Sequence, residues 1–576
     1  MNLIKIKLGM TKLLFIISCF LLTSCQPPQY ADTVFRGGTV VTMDDERSHA
    51  QAVAIYDGKI IFVGSNQNAD SLMGVDTKII ELEGKMLMPS FHDAHSHVRA
   101  GGSSLNGCSL HSATDISAIR NKLIECANLK NYGVDEWVIG GGWPLSAFPE
   151  AGPTSAMLDE VFNNRPAVFF DAFAHSAWLS SRALELAKID KTTPDPPQGV
   201  IVRDTGTGIP TGTLRDAAVS SVISILPAEE DEDRYSDLLL GIREANKFGI
   251  TAFIDPGVSE QGLKDYQAAD RRDELSARVI TSLSPIGSMS DKFGPEIFDL
   301  LSIRDQYRSD LLDVDSVKVY VDGVIETRTS FMLEPYLDGS NFPPFYHLAE
   351  LKELYAKLDK MGIQIHTHAI GDAAIRSALD AYEHTISING RNDNRHQIVH
   401  LQLIDDEDIP RFGELGIAAN FQCMWCYRDV YIDLAVDIVG EKRTNAFYAV
   451  NSIKNSGGLI VGGSDWDVSS LNPLDAIETA ITRKDPFSNS GVELGVGQQI
   501  DLTDALDMYT RNAAHVMRLE KKTGSIEVGK FADLIVLNAN LYETPVEDIN
   551  EVEVLLTLLN GEVIYTAPNH QDLEKN

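Results

Sequence analysis

The chain of 576 residues reads as an α/β protein: a TIM-type (β/α)8 barrel, with a small β-sandwich assembled from both termini and a large insertion after the first barrel strand. Three observations predict this. Through the middle, short apolar segments alternate with helical stretches, the pattern of parallel βα units. Both ends are instead built of strands and tight turns. Polar residues able to ligate a metal recur where the apolar segments end, which is where such a barrel assembles its chemistry.

Ahead of the fold, Lys5, Lys7 and Lys12 precede the apolar run 13–22, too short to span a bilayer but suited to a secretory leader. Leu22-Thr23-Ser24-Cys25 follows directly and resembles a bacterial lipobox. Residues 1–24 are therefore expected to be a lipoprotein signal peptide, Cys25 the lipidated residue and 25–30 a tether. An uncleaved signal anchor is the alternative. The protein is expected to be exported and anchored by its lipid to the bacterial envelope, at the outer membrane or the periplasmic face.

Strands are expected at 33–35, 39–43, 52–55 and 59–63, with Asp57-Gly58 as a hairpin turn between alternating apolar runs. Strands return at 532–537 and 554–565, around Asn560-Gly561. Residues 31–87 and 520–570 are thus assigned to the sandwich, and 88–519 to the barrel. The barrel is entered through Met86-Leu87-Met88, read as a buried strand ending in His92-Asp93-Ala94-His95-Ser96-His97. Extended backbone there puts the imidazoles of His95 and His97 on one face. An insertion of about 100–249 follows, with short apolar segments at 137–140 and 167–170, a Pro-rich loop at 194–197 and a helix through 238–248. Alternation then resumes, with strands at 250–254, 277–282, 316–321, 362–368, 396–401, 417–420 and 459–461. With the first strand these make eight.

A lone His-x-His is weak evidence for a metal, which needs further ligands. The fifth strand ends at His368, the sixth at His400 and the eighth at Asp465. A single barrel histidine is ordinarily a hydrogen-bonded core residue, but five polar side chains at one depth are hard to bury without a metal. His366 shares a strand face with His368, so either can be the ligand. In the fourth strand Lys318 stands in a run with no wet face. Either it reaches water at the rim, or it has lost its ammonium character as a lysine carbamylated by CO2, whose new carboxylate bridges two ions.

The order His-x-His, Lys, His, His, Asp on strands one, four, five, six and eight resembles the amidohydrolase superfamily of metal-dependent hydrolases. Residues 211–216, Lys318 to Asp322-Gly323 and Arg328-Thr329, 368–372, 463–465, 510–514 and 524–534 resemble its amidohydrolase-3 branch, which includes N-substituted formamide deformylase. The similarity runs from Ala31 to Tyr565. It implies one or two divalent ions, zinc first, with His95, His97 and Asp465 on one, His368 and His400 on the other, and Lys318 bridging. It also implies that water activated by the metal attacks a carbonyl while Asp465 carries its proton to the leaving nitrogen. His175 and Arg328 sit where the branch places substrate contacts. Two departures, Ser90 with His92 and Cys423 after Gln422, leave the ligand set intact and bear on the substrate pocket.

The formal charge of −34 disfavours nucleic acid or anionic lipid as partners, and the partner expected is a small-molecule substrate. Besides Cys19 in the leader and Cys25, cysteines stand at 108, 126, 423 and 426. Cys423-x-x-Cys426 can pair in an oxidising compartment, whereas one such spacing alone does not make a zinc site. Assembly into a homo-oligomer is left open. The activity expected is hydrolysis of a non-peptide amide C–N bond, of an N-substituted formamide or N-acyl compound. The alternatives are an N-acyl amino acid deacylase, a cyclic-amide hydrolase, or a surface lipoprotein that only binds a ligand or metal.

Overall fold

The structure, a computed structural model, describes residues 30–129, 133, 135–284 and 292–570. The expected leader and Cys25 lie outside the described residues. Eight parallel strands form the central sheet: β1 Phe91–Asp93, β2 Ile250–Val258, β3 Arg278–Leu283, β4 Leu312–Tyr320, β5 Gln364–Ala369, β6 Gln397–His400, β7 Ala418–Phe421 and β8 Ile460–Gly462. Each pairs in parallel with its sequence neighbour, β1 with β2 and so on to β7 with β8. The seam between β8 and β1 is zipped just beyond the strand ends. There Ala94 N donates to Gly462 O at 3.0 Å and Asp465 N to His95 O at 2.7 Å. The seam is tight enough to require Gly463, because a Cβ there would stand 2.7 Å from His95 N. The expected barrel is thus present and nearly closed.

Both termini meet in one hydrogen-bonded sheet, ordered Glu562–Thr566, Val554–Leu559, Leu534–Leu537, Met86–Pro89, Thr33–Val41, His49–Tyr56 and Lys59–Gly64. Lys78–Glu81 pairs with the start of Thr33–Val41, so the expected sandwich is hydrogen-bonded as a single branched sheet. Asp57-Gly58 and Asn560-Gly561 turn its hairpins, with positive φ at all four residues, as the primed turns require. Alternation decides which way each strand faces. Met86, Met88, Ile535 and Leu537 pack into the main core, while Leu87, Leu534 and Val536 join Phe35, Val53 and Leu556 in a second core. Met86–Pro89 therefore belongs to this terminal sheet. The chain breaks at Ser90 before β1, which corrects the reading of one continuous strand running up to His97.

The insertion carries a six-stranded sheet, ordered Gly199–Arg203, Pro210–Asp216, Ser176–Leu179, Ala167–Asp171, Val138–Trp143 and Cys108–Ser109, with cores of its own. Cys108 and Cys126 form a disulfide within it, whereas Cys423 and Cys426 are free and buried. Of the cysteines, then, Cys423 and Cys426, whose spacing allows pairing, stay reduced, and the other two are bonded. The reason is local: Cys423-Met424-Trp425 is wound into a 3-10 turn, and both thiols sit in the barrel core. The helix Asp231–Lys247 leads the chain back to β2.

Candidate metal centre

The C-terminal mouth of the barrel opens into a cavity of about 740 Å³ lined by His95, His97, Lys318, His368, His400 and Asp465, with His175 reaching in from the insertion. His95 and His97 follow β1 in a loop that ends as the helix Val98–Asn106 begins, so it is the loop that brings their rings to 5.4 Å, edge to face. Asp465 follows β8. The two loops are tied by backbone bonds, His97 N to Trp466 O at 2.6 Å besides the seam already described. The carboxylate of Asp93 clamps both, accepting from His95 N and Ser464 N at 3.0 Å each. As a result one ligand atom each of His95, His97 and Asp465 lies within 4.8 Å of the other two.

Asp465 Oδ1 stands 3.3 Å from His95 Nε2 and 3.2 Å from His97 Nε2, yet it is buried and has no hydrogen-bond partner. Three nitrogen and oxygen donors facing one another without bonding suit a shared divalent ion such as zinc. The electrostatics agree. Burial lowers His95 to about 3, with Lys318 beside it acting in the same direction, so the imidazole stays neutral and keeps a lone pair. Burial pushes Asp465 up, but His95, His97 and His400 outweigh it and hold the carboxyl well below its usual range. Asp465 and His400 also keep left-handed backbone, φ 53° and 79°, at a cost of roughly 1–2 kcal/mol each. Such strain persists where the surroundings over-determine it.

Lys318 points into the barrel, only 1 % exposed, opposite His366 in register. It does not reach solvent. Nζ lies 3.3 Å from His95 Nε2 and 5.0 Å from the centre of the Tyr320 ring, and burial lowers it to about 7. Burial thus favours the neutral amine over the ammonium.

The two histidines of β5 take different places. His366 Nε2 lies 2.6 Å from His95 Nδ1, beneath the cavity, where it orients the ring of His95. His368 lines the cavity, with its ring 4.5 Å from that of His400 and 5.4 Å from that of His175. His368 and His400 are not part of the three-residue group, although His400 Nδ1 comes to 3.7 Å from Asp465 Oδ2. His175 is held by Asp216, whose Oδ1 lies 2.9 Å from its Nδ1. Arg328, expected at the substrate, does not line this cavity. It pairs with Glu150 and, at 3.4 Å, with Asp338, and it lines a separate cavity of about 380 Å³. Its own backbone φ of 57° at the end of a 3-10 turn helps direct it away from the centre. His92 is fully buried away from the cavity, with Nδ1 3.1 Å from Ser90 O, and burial lowers it to about 4.

Several contributors escaped the sequence reading. Asp322 is fully buried and accepts from Ile370, Gly371 and Phe331 N, bracing the loops after β4 and β5. Trp425 stacks on His400 at 5.6 Å, and Phe173 meets Tyr431 edge-on at 4.8 Å, giving the cavity an aromatic wall. Glu326 and Asp429 also line it, and burial pushes them up to about 7 and about 6. Lys318 is the one lysine or arginine among the described lining residues. Asp322 did have a signal, since it continues the alternation of Lys318 and Tyr320.

Residues 78–565 match the model of the amidohydrolase family. Protein LONG AFTER FAR-RED 3 of Arabidopsis thaliana is 30% identical over 562 residues, covering 94% of each chain. N-substituted formamide deformylase of Arthrobacter pascens is 28% identical, over 93% of this chain and 99% of that protein. A metal-dependent hydrolase from Pyrococcus horikoshii superposes with a TM-score of 0.70 at 24% identity, over 89% of this chain and 99% of that one, which speaks to the fold. With its barrel, its convergent donors and a family match over most of its length, the chain belongs to the amidohydrolase family.

Proposed function

We propose that this chain is a metal-dependent hydrolase cleaving the non-peptide amide C–N bond of a small neutral or cationic molecule, an N-substituted formamide or an N-acyl amine. The observation that carries the reading is the buried, unpartnered Asp465 Oδ1 facing His95 and His97. These three residues would hold one ion, zinc by donor type, and His368 and His400 a second, with a carbamate on Lys318 between them. A divalent ion bound there supplies Lewis acidity toward a carbonyl oxygen and a water molecule. Asp465 accepts the proton of the attacking water and passes it to the departing nitrogen. His175, fixed by Asp216, hydrogen-bonds the substrate from the insertion side. The aromatic wall excludes water and seats an apolar substituent.

An N-acyl amino acid deacylase needs a cation for the substrate carboxylate. The cavity instead presents Glu326 and Asp429, with no arginine among its described lining residues, which favours the amine series. Export with a lipid anchor at Cys25 is part of the same reading, supported by the Cys108–Cys126 disulfide, a bond that persists in oxidising compartments. Chelation is expected to abolish hydrolysis of N-formyl and N-acyl amines, and Zn2+ or Mn2+ to restore it. Activity indifferent to metal removal would overturn the proposal. Metal binding without turnover of any amide, ester or lactam would favour a binding protein.

A further inference from the structure

Behind His400 runs a line of buried amides that the reaction outlined above does not use. Gln364, Gln397, Asn420 and Gln422 come from β5, β6, β7 and the residue following β7, and each is at most 3 % exposed. Gln364 Nε2 donates to two backbone carbonyls, Arg395 O at 2.8 Å and Val516 O at 2.7 Å. Carbonyls only accept, so this end of Gln364 is its NH2, and its Oε1 must accept. It does so from Gln397 Nε2 at 3.3 Å. Gln397 Oε1 then accepts from Asn420 Nδ2 at 2.8 Å, and the same Nδ2 donates to Ala94 O at 3.0 Å, which anchors the direction a second time. Asn420 Oδ1 accepts from Gln422 Nε2 at 3.0 Å, leaving Gln422 Oε1 as an acceptor 2.9 Å from His400 Nδ1.

Every link has one direction, set at its far end by groups that cannot donate. The hydrogen of His400 must therefore sit on Nδ1, pointing at Gln422. Asp465 Oδ2, at 3.7 Å from the same nitrogen, is too distant to compete as an acceptor. We infer that Gln422 is a positioning residue, which through the Gln364–Gln397–Asn420 relay locks His400 in the Nδ1–H tautomer and so keeps its Nε2 lone pair free for a metal. Outer partners that fix an imidazole tautomer typically change metal affinity about 10- to 100-fold when removed. The inference rests on His400 being a ligand, as proposed above, only for its effect on metal; the tautomer itself does not depend on that.

Two measurements on the full chain test it. Nitrogen-15 spectra of the metal-free, histidine-labelled protein, with His400 assigned by the loss of its signals in His400→Asn, are expected to show Nδ1 protonated and Nε2 bare. Nε2–H at His400 would overturn the inference whether or not the protein cleaves amides. In Zn2+ titrations against a competing chelator, Gln422→Leu is expected to weaken binding about 10- to 100-fold. Gln422→Glu, which keeps an acceptor for Nδ1–H but loses the donor to Asn420, is expected to stay within a few-fold of the wild type. A merely structural role would damage both variants alike, and equal losses would refute control by the tautomer.

Discussion

The two halves of the barrel mouth are held in different ways. His95, His97 and Asp465 sit on neighbouring loops zipped by backbone bonds and clamped by Asp93, and their donor atoms are already gathered. His368 and His400 are held one by one, His368 Nε2 near Gly323 O at 3.3 Å and His400 Nδ1 by Gln422. Their rings touch each other but stand outside the gathered group. The first half is preorganised by main-chain bonds between its loops, whereas in the second each ring has its own partner, a backbone carbonyl for His368 and the Gln422 side chain for His400.

The largest expected effect separates the halves directly. Asp465→Asn is expected to lower hydrolysis about 10²- to 10⁴-fold and to abolish metal binding at the proposed His95, His97 and Asp465 site, while His368→Asn keeps most of it. Metal analysis of the two purified variants decides, and equal losses would erase the distinction. Next comes the link between the halves. Lys318→Arg, permanently charged and unable to form a carbamate, is expected to cost on the order of tenfold in metal affinity. It should also abolish any dependence on added bicarbonate, and an intact-mass measurement should show the added CO2 on the wild type alone. Wild-type activity and mass unchanged in CO2-free buffer would remove the bridge.

The last effect is on stability and not on the reaction, and concerns Glu326 in the cavity lining. Glu326 is raised by burial to about 7 in the folded protein, against about 4.3 in an unfolded chain. Between those values the folded state holds a proton that the unfolded state has released. Glu326 therefore favours folding less and less as pH rises from about 4 to about 7. Glu326→Gln keeps an acceptor for Gln402 and removes this slope. Its stability relative to the wild type is expected to be greater at pH 8 than at pH 5, by on the order of 1–3 kcal/mol. Parallel melting curves at the two pH values would show that Glu326 does not titrate as its burial implies.

Period and punctuation made much of this legible in advance. Alternating apolar strands and helices announced the eight-stranded barrel, and Asp57-Gly58 and Asn560-Gly561 announced its terminal hairpins, because these signals are local. The residues ending the strands, His368, His400 and Asp465 with Lys318 inside, were legible because strand ends in a parallel barrel share one rim. Other features depend on pairings between distant segments. The break at Ser90, which hands Met86–Pro89 to the terminal sheet, follows from pairing with Leu534–Leu537. Cys108 and Cys126 form the disulfide because the insertion folds them together. The choice of His368 over His366 for the cavity depends on His95 filling the space above His366. Arg328 stands outside the cavity lining, paired with Glu150 of the insertion. By itself the sequence determined which residues have ligand chemistry and which strands carry them. Only the tertiary structure decided which donors face a common point and which amides stand behind them, since both are set by distances between segments far apart in the chain.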